Sequence, residues 1–274
     1  MDLSGTLFII DLKDDVRCVD LTPFFLFIDL KFQFCYLDFS RGTDMREESI
    51  TKPMSLKGFR SDRVIYIPFD PAPGLILSGF KQKIRKQKSS WACRLFLLDE
   101  KAILYQALGA PAAVASLEIL IASGAKEILI LSFCGSLQPD YRIGDVISVS
   151  SALTNEGTSP HYFPRLKAFF PSPRLKRRTE EFLASRNLPF SRGACVSTDA
   201  PFRETATWLK KMLENKIGLV DMELSAVFAL AKFWRIEAAA LMIVTDELFH
   251  KKWNVGNYGR EFKKRIKDYF LPFI

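Results

Sequence analysis

Two apolar runs that each end in acid, separated by one helix-length segment, constrain this chain most. Ile217 to Val220 leads into Asp221-Met222-Glu223, and Ala238 to Thr245 leads into Asp246-Glu247. Each run reads as a buried strand, with its carboxylates placed where the strand emerges. In open α/β sheets the crevice beyond the strand ends is where ligands bind. A carboxylate is costly to bury there unless it is paired or has a task. Two such strand ends side by side point to a site that holds hydroxyls and moves a proton.

The rest of the chain supplies the alternation that such a sheet needs. From Val64 on, short apolar runs alternate with amphipathic segments. Strands are expected at Val64–Pro68, Cys93–Leu98, Ala102–Tyr105, Glu127–Ser132, Asp145–Ser150, Gly193–Thr198, Ile217–Met222 and Ala238–Thr245. Helices are expected from Pro111 to Ser123, Arg174 to Ser185, Glu204 to Glu214, Leu224 to Trp234 and Tyr258 to Tyr269. Pro111 in a first turn and Gly124 after a last one are start and stop signals. The segment Thr154 to Pro164, with Gly157, Pro160 and Pro164, reads as a loop. This pattern predicts an α/β fold with a mixed or largely parallel central sheet. One domain is expected over 56–274, preceded by an N-terminal extension, 1–55, of no assigned role. Thr22 to Phe39 is rich in phenylalanine but broken by Asp29, Lys31 and Asp38, so a membrane span is not expected there. A strand pair and an unstructured extension both remain open for that stretch. Met45 and Met54 precede the first clear strand and offer alternative starts. No basic start followed by an apolar run marks a secretory signal.

Charge and cysteine content narrow the function classes. The formal net charge is +8, with basic blocks at Lys81–Lys88, Arg165–Arg178 and Lys251–Lys267. No RNP-type aromatic pattern or zinc-finger spacing accompanies them, so solvated faces are expected rather than a nucleic-acid surface. The five cysteines are scattered without CxxC spacing, and the two histidines, His161 and His250, do not join them. Neither a zinc site nor a disulfide framework is indicated, and a reducing, cytoplasmic setting fits.

Single motifs keep two readings each. Gly135, after Phe133-Cys134, marks either a close backbone approach to a ligand or a plain turn. Gly109-Ala110-Pro111 sets a helix N-terminus that can hold an anion. Asp221 can cap the following helix, or serve a ligand together with Glu223 from one side of the strand.

In combination these motifs carry a resemblance. Gly109-Ala110-Pro111-Ala112-Ala113, Cys134-Gly135-Ser136-Leu137-Gln138-Pro139, Gly144-Asp145, Glu156-Gly157-Thr158-Ser159, Thr198-Asp199, Val220-Asp221-Met222-Glu223 and Thr245-Asp246 follow in the order and spacing of the nucleoside phosphorylase family. This is the family of purine and uridine phosphorylases and methylthioadenosine/adenosylhomocysteine nucleosidase, and the resemblance covers about 62–270. It implies a single-domain, three-layer α/β/α fold with a mixed central sheet. It implies cleavage of the N-glycosidic bond of a ribonucleoside through an oxocarbenium-like ribose. Glu223 matches the glutamate that binds ribose hydroxyls, Met222 the methionine beneath the sugar, and Asp246 the acid that protonates a purine leaving group. Cys134 and Gly135 match the segment lining the base, and Val220, Asp221 and Thr245 stand in the same matched motifs. An acid at Asp246 must keep its proton near neutrality, which burial at a strand end favours.

The departures from the family pattern fall on the phosphate side. The arginine expected before Gly135 is absent from Ile128 to Phe133, and Phe133 replaces a serine or threonine. Phe69-Asp70-Pro71 only echoes the Gly-Asp-Pro phosphate loop. Without a bidentate guanidinium phosphate is a weaker ligand. Arg203 is the substitute cation considered, and His161 a residue that could cover the sugar. Ala200 to Thr205, the base-recognition loop, lacks the glutamine and arginine that uridine phosphorylases use. Phosphorolysis to free base and ribose 1-phosphate is the leading expectation, with phosphate as co-substrate and no other cofactor or metal. Hydrolysis and non-catalytic nucleoside binding are the alternatives. A homo-oligomer, dimer or hexamer, follows from the resemblance; no membrane or nucleic-acid partner is expected.

Overall fold

The computed structural model describes residues 7–10, 16–19, 49–59, 61–71, 74–89, 93–250, 253–256 and 258–274. It divides into two units, Met1–Gly42 and Thr43–Ile274. In the first, β1 (Leu7–Ile10) pairs antiparallel with β2 (Val16–Val19). Thr22 to Phe39 lies outside the described residues.

The second unit runs β3 (Arg63–Ile67), α1 (Leu75–Phe80), β4 (Lys86–Ser89), β5 (Arg94–Leu97), β6 (Ala102–Tyr105), α2 (Ala110–Ala122), β7 (Glu127–Ser136) and β8 (Val146–Asn155). It continues through α3 (Ser159–Tyr162), β9 (Ala168–Phe169), α4 (Pro173–Ser185), β10 (Ser191–Thr198), α5 (Ala206–Glu214) and β11 (Leu219–Asp221). It closes with α6 (Leu224–Trp234), β12 (Glu237–Glu247), β13 (Asn254–Val255) and α7 (Arg260–Tyr269). Parallel pairs (β3 with β7, β7 with β12, β8 with β10) and antiparallel pairs (β7 with β11, β8 with β12) make the sheet mixed.

Alternation along the strands creates the layers. Val64, Tyr66, Ile128, Ile130, Ala240, Met242 and Val244 face one core with α2 and α6. Ile65, Ile67, Leu129, Leu131, Phe133, Leu241 and Ile243 face the other, against Ile76 and Phe80 of α1, Leu175 and Leu183 of α4, and Phe262 and Ile266 of α7. The expected three-layer α/β/α arrangement with a mixed sheet is present. Each buried aliphatic or aromatic side chain is worth about 1.5–3 kcal/mol. A one-residue slip of a strand would exchange the two faces, so packing on both sides fixes the register.

One feature of the topology positions the site. β12 pairs with both β7 and β8, while β11 pairs with both β10 and β7. Among the described residues, β7, β12, β8, β10 and β11 therefore close into a ring. β7 reaches Ser136, beyond the Ser132 expected, because its far end finds two partners. Gly135 lies opposite Val220 of β11 and Asp246 of β12.

Other boundaries also differ from expectation, each for a local reason. Thr154–Pro164 is not all loop: β8 extends to Asn155, and the buried Glu156 carboxylate accepts the N–H groups of Thr158 (2.5 Å) and Ser159 (3.0 Å), starting α3. The strand expected over Ile217–Met222 shortens to β11 because Asp221 accepts the N–H groups of Glu223 and Leu224, which turns the chain. The helix expected from Glu204 begins at Ala206, where Thr205 caps it by accepting the Trp208 N–H. Neither α1 nor β4 was anticipated, both being short. The Lys81–Lys88 block forms a 3-10 turn and β4 at the sheet edge, where lysines discourage further pairing. No helix among the described residues is long and apolar enough to cross a membrane.

Candidate active site

A pocket of about 700 Å³ opens where β7, β11 and β12 end. Its position follows from the ring. The β7–β12 register shifts between Val244 and Asp246, so Thr245 bulges and both Thr245 and Asp246 reach the pocket. Gly135 permits that approach. A Cβ there would stand 2.7 Å from Leu248 Cδ1, 3.0 Å from Val220 Cγ1 and 3.1 Å from Asp246 Oδ2. Gly135 is thus neither a turn nor merely a ligand floor; it lets two strands and an acid meet.

The structure brings together Cys134, Gly135, Val220, Asp221, Met222, Glu223, Thr245 and Asp246, all of which line this pocket. Arg203 and His161 do not. Arg203 is exposed on the 3-10 turn Pro201–Arg203, although its neighbours Phe202 and Glu204 line the pocket. His161 is exposed on α3. The surrounding Glu156-Gly157-Thr158-Ser159 stretch is tied down internally, Glu156 also accepting the Ser225 hydroxyl of α6 (2.9 Å) and Gly157 donating to Asp199 (2.8 Å).

Asp221 and Glu223 do different work, and strand alternation does not relate them. Asp221 ends β11 and accepts from Ser197 Oγ (2.6 Å), Cys195 Sγ (3.5 Å) and the N–H groups of Glu223 (2.9 Å) and Leu224 (2.8 Å). Its capacity as an acceptor is spent inside the protein. Burial raises its pKa, and those four hydrogen bonds oppose the rise. Glu223 is the N-terminal flanking residue of α6 and accepts the Gly109 N–H at 2.6 Å. Gly109 has φ of 86°, a conformation that favours glycine, so the backbone before α2 can turn this N–H onto the carboxylate. Burial first, then the Asp221 charge, push Glu223 above the usual carboxylate range.

Asp246 is half-buried and held at both oxygens, by Thr245 Oγ1 (2.8 Å) and by Trp253 Nε1 (2.7 Å). Glu247, beside it, turns away. It binds Arg142, the Ile143 N–H, His250 and Asn254, and so ties the end of β12 to the Tyr141–Gly144 turn. Burial raises Glu247, but these partners outweigh it and hold it below its usual value.

Sequence reasoning missed several lining residues. Glu204, Trp208, Leu248, His250 and Trp253 all reach the pocket. Glu204 is pushed up to about 7 by burial and by the charge of Asp246. Its place in the base-recognition loop was the available signal; its burial was not readable from the sequence. Four carboxylates (Glu204, Asp221, Glu223 and Asp246) line the pocket, and among the described lining residues there is no Lys or Arg. Phe133 packs against Phe262 (5.7 Å) and Phe270 (5.5 Å), with Phe69 edge-on at 6.4 Å. Asp70 faces inward and accepts the Tyr105 hydroxyl (2.5 Å) and the Ile76 N–H (3.3 Å). Among the described residues no group of three or more His, Cys, Asp or Glu side chains is arranged to hold a metal ion.

The model of the phosphorylase superfamily matches residues 79–272. This chain belongs to the phosphorylase superfamily. Among curated relatives, it is 26% identical over 133 residues to a DeoD-type purine nucleoside phosphorylase of Brevibacillus brevis, covering 48% of this chain and 56% of that one. It is also 26% identical over 165 residues to a guanosine phosphorylase of Halorubrum lacusprofundi, covering 59% and 67%. The chain thus spans little more than half the length of the DeoD-type relatives it matches. Among solved structures of this superfamily's fold, purine nucleoside phosphorylase from Toxoplasma gondii in complex with immucillin-H superposes with a TM-score of 0.67. That match is 20% identical and covers 77% of this chain and 89% of that one. AMP nucleosidase from Bacteroides thetaiotaomicron gives a TM-score of 0.62 at 16% identity, covering 77% and 88%. These structural likenesses show the shared fold.

Proposed function

We propose that this chain cleaves the N-glycosidic bond of a purine ribonucleoside. The observation that carries the reading is the meeting of Glu223, Met222 and Asp246 in one pocket at the ends of β7, β11 and β12. Glu223, aimed by Gly109, accepts ribose hydroxyls, and its charge favours a ribosyl centre that becomes cationic as the bond breaks. Met222 supplies a soft, adaptable floor for the sugar. Asp246 gives its proton to the departing base, and Thr245 and Trp253 orient it for that transfer. The names of the curated relatives, purine nucleoside and guanosine phosphorylases, support a purine.

The nucleophile separates two versions. Family membership supports phosphate, giving ribose 1-phosphate. The lining carboxylates and the Phe133 cluster favour water, because an anion entering this pocket meets like charge. Two unit charges about 4 Å apart repel by about 4 kcal/mol at an effective dielectric of about 20. A purine nucleoside panel run with and without phosphate decides between them. Ribose 1-phosphate identifies phosphorolysis and free ribose hydrolysis; no base release under either condition overturns the enzyme reading. The scheme uses no further cofactor and no metal. Exposed Phe202, Trp253, Leu108 and Phe69 line the pocket mouth, and such an apolar rim supports assembly of several copies, a dimer or hexamer. Sedimentation equilibrium tests it, and a monomer at micromolar concentration counts against it.

A further inference from the structure

A second cavity, of about 250 Å³, lies at the other end of β7 from the catalytic pocket. Its first residue on that strand, Glu127, stands roughly 25 Å from Gly135 at a rise of about 3.3 Å per residue. Three parallel strands, β6, β3 and β7, begin together here, with Ala102 opposite Val64 and Arg63 opposite Glu127. Val64 faces the α2–α6 core and Ile65 the α1–α4–α7 side, so alternation turns Arg63 to the same side as Ile65. Lys101, just before β6, joins them in the cavity, and Arg178 reaches in from α4. Ile65 and Leu129 supply apolar lining from the sheet, and Pro272 and Phe273 supply it from the 3-10 turn Leu271–Phe273.

The charges of this cavity do not balance. Arg178 pairs with Glu127, the one carboxylate among the described lining residues. Arg63 and Lys101 are left over. The Arg63 guanidinium makes no hydrogen bond or ion pair with any described residue. The half-buried Lys101 ammonium donates to the Phe273 carbonyl (2.7 Å), a neutral partner, and keeps two further N–H groups. Burial first, then the charges of Lys83 and Arg63, lower the Lys101 pKa, and exposed Glu100 opposes them less. Like charges on adjacent strands repel, and a half-buried cation without a counter-charge is destabilising.

The donors define the anion that fits. A guanidinium presents a planar fork matched to two oxygens, and an ammonium adds a point charge. Two unmatched positive charges suit a group that carries close to two negative charges, as a phosphate monoester does near neutral pH and a carboxylate does not. The apolar lining and the volume also take a small carbon body. We infer that this cavity binds a small organic phosphate monoester, gripped by Arg63 and Lys101. Its occupation does not depend on what the catalytic pocket cleaves.

Calorimetric titration of the full chain with glycerol 3-phosphate tests the site. Saturable binding is expected, weakened by about tenfold or more in Arg63→Gln and in Lys101→Gln, since hydrogen bonds between charged groups are lost. Lys86→Gln, on the exposed edge strand β4 outside the cavity, is expected to leave affinity unchanged. Acetate, a monoanion, is expected to bind at least about tenfold more weakly. No saturable binding at millimolar ligand, undiminished affinity in both cavity variants, or acetate binding as tightly overturns the inference. An equal loss in Lys86→Gln also overturns it, because diffuse surface charge then explains the binding. Thermal unfolding without ligand establishes that each variant is folded. Arg63→Lys keeps the charge but not the planar fork, so it serves where a glutamine variant does not fold. Affinity is expected to fall in it by about threefold or more, and unchanged affinity overturns the guanidinium contact.

Discussion

The β11–α6 side of the pocket and the β10–α5 side are both acidic, but they are built in opposite ways. At β11–α6, Asp221 is consumed by four internal donors, and it fixes the turn that presents Glu223 to the Gly109 N–H. At β10–α5, Glu204 follows a turn held by backbone hydrogen bonds and accepts no hydrogen bond from any described residue. The first side is preorganised, its geometry set before any ligand arrives. On the second side, burial and the charge of Asp246 push Glu204 up to about 7.

Substitutions can break this contrast. The largest effect is expected from Asp246→Asn, which should lower turnover on purine nucleosides by about 10²–10⁴-fold with little change in binding. Equal loss in both, measured by steady-state kinetics and calorimetry, would remove Asp246 from the acid role. Glu223→Ala should slow catalysis by about 10²–10³-fold and weaken ribose binding at the same time. Unchanged kinetics would sink its assignment to the sugar. Gly135→Ala tests the junction itself: its Cβ meets Leu248 and Val220, so a loss of about 1–3 kcal/mol is expected in denaturant unfolding.

The smallest effect is on pH dependence, and it sharpens the comparison. Glu204 titrates at about 7 in the folded protein, above the usual carboxylate value. The folded state therefore binds more protons than the unfolded one between about 4.5 and 7. The Glu204 contribution to stability should fall as pH rises across that window and level off above 7. Glu204→Gln should flatten part of that slope, leaving the contribution of Glu223, whose raised value acts in the same sense. Glu180 works in the opposite direction. Burial pushes it up, but Arg192, Lys176 and Ser148 outweigh burial and hold it at about 2. Its stabilisation is present above the ordinary carboxylate value and is lost as pH falls toward 2. A thermal-midpoint profile of the two proteins checks the sign, and parallel profiles would show that Glu204 is solvated rather than half-buried.

Much of the architecture was legible because local signals agreed with one another. Leu224–Trp234 was readable to the residue from its composition and flanking acids, and Pro111 and Gly124 bracketed α2 to within one or two residues. The short elements were not readable. Six-residue α1 and edge strand β4 carry too little periodicity to stand out; α1 exists because Ile76 and Phe80 have a core to join, and β4 because it pairs antiparallel with β5. The phosphate-side departures could be listed from the sequence, yet the aromatic packing of Phe133 and the inward turn of Asp70 could not.

The chain alone determined that two strands end in acid, that an α/β sheet carries them, and which residue types stand at their tips. Those are matters of local pattern, fixed by hydrophobic period and turn chemistry. Only the tertiary structure decided what each acid does. Closure of the β7–β12–β8–β10–β11 ring brings Gly135 against Asp246 and Ser197 of β10 against Asp221. A carboxylate's role depends on burial and on the donors within about 3 Å of it, and those come from segments distant in sequence.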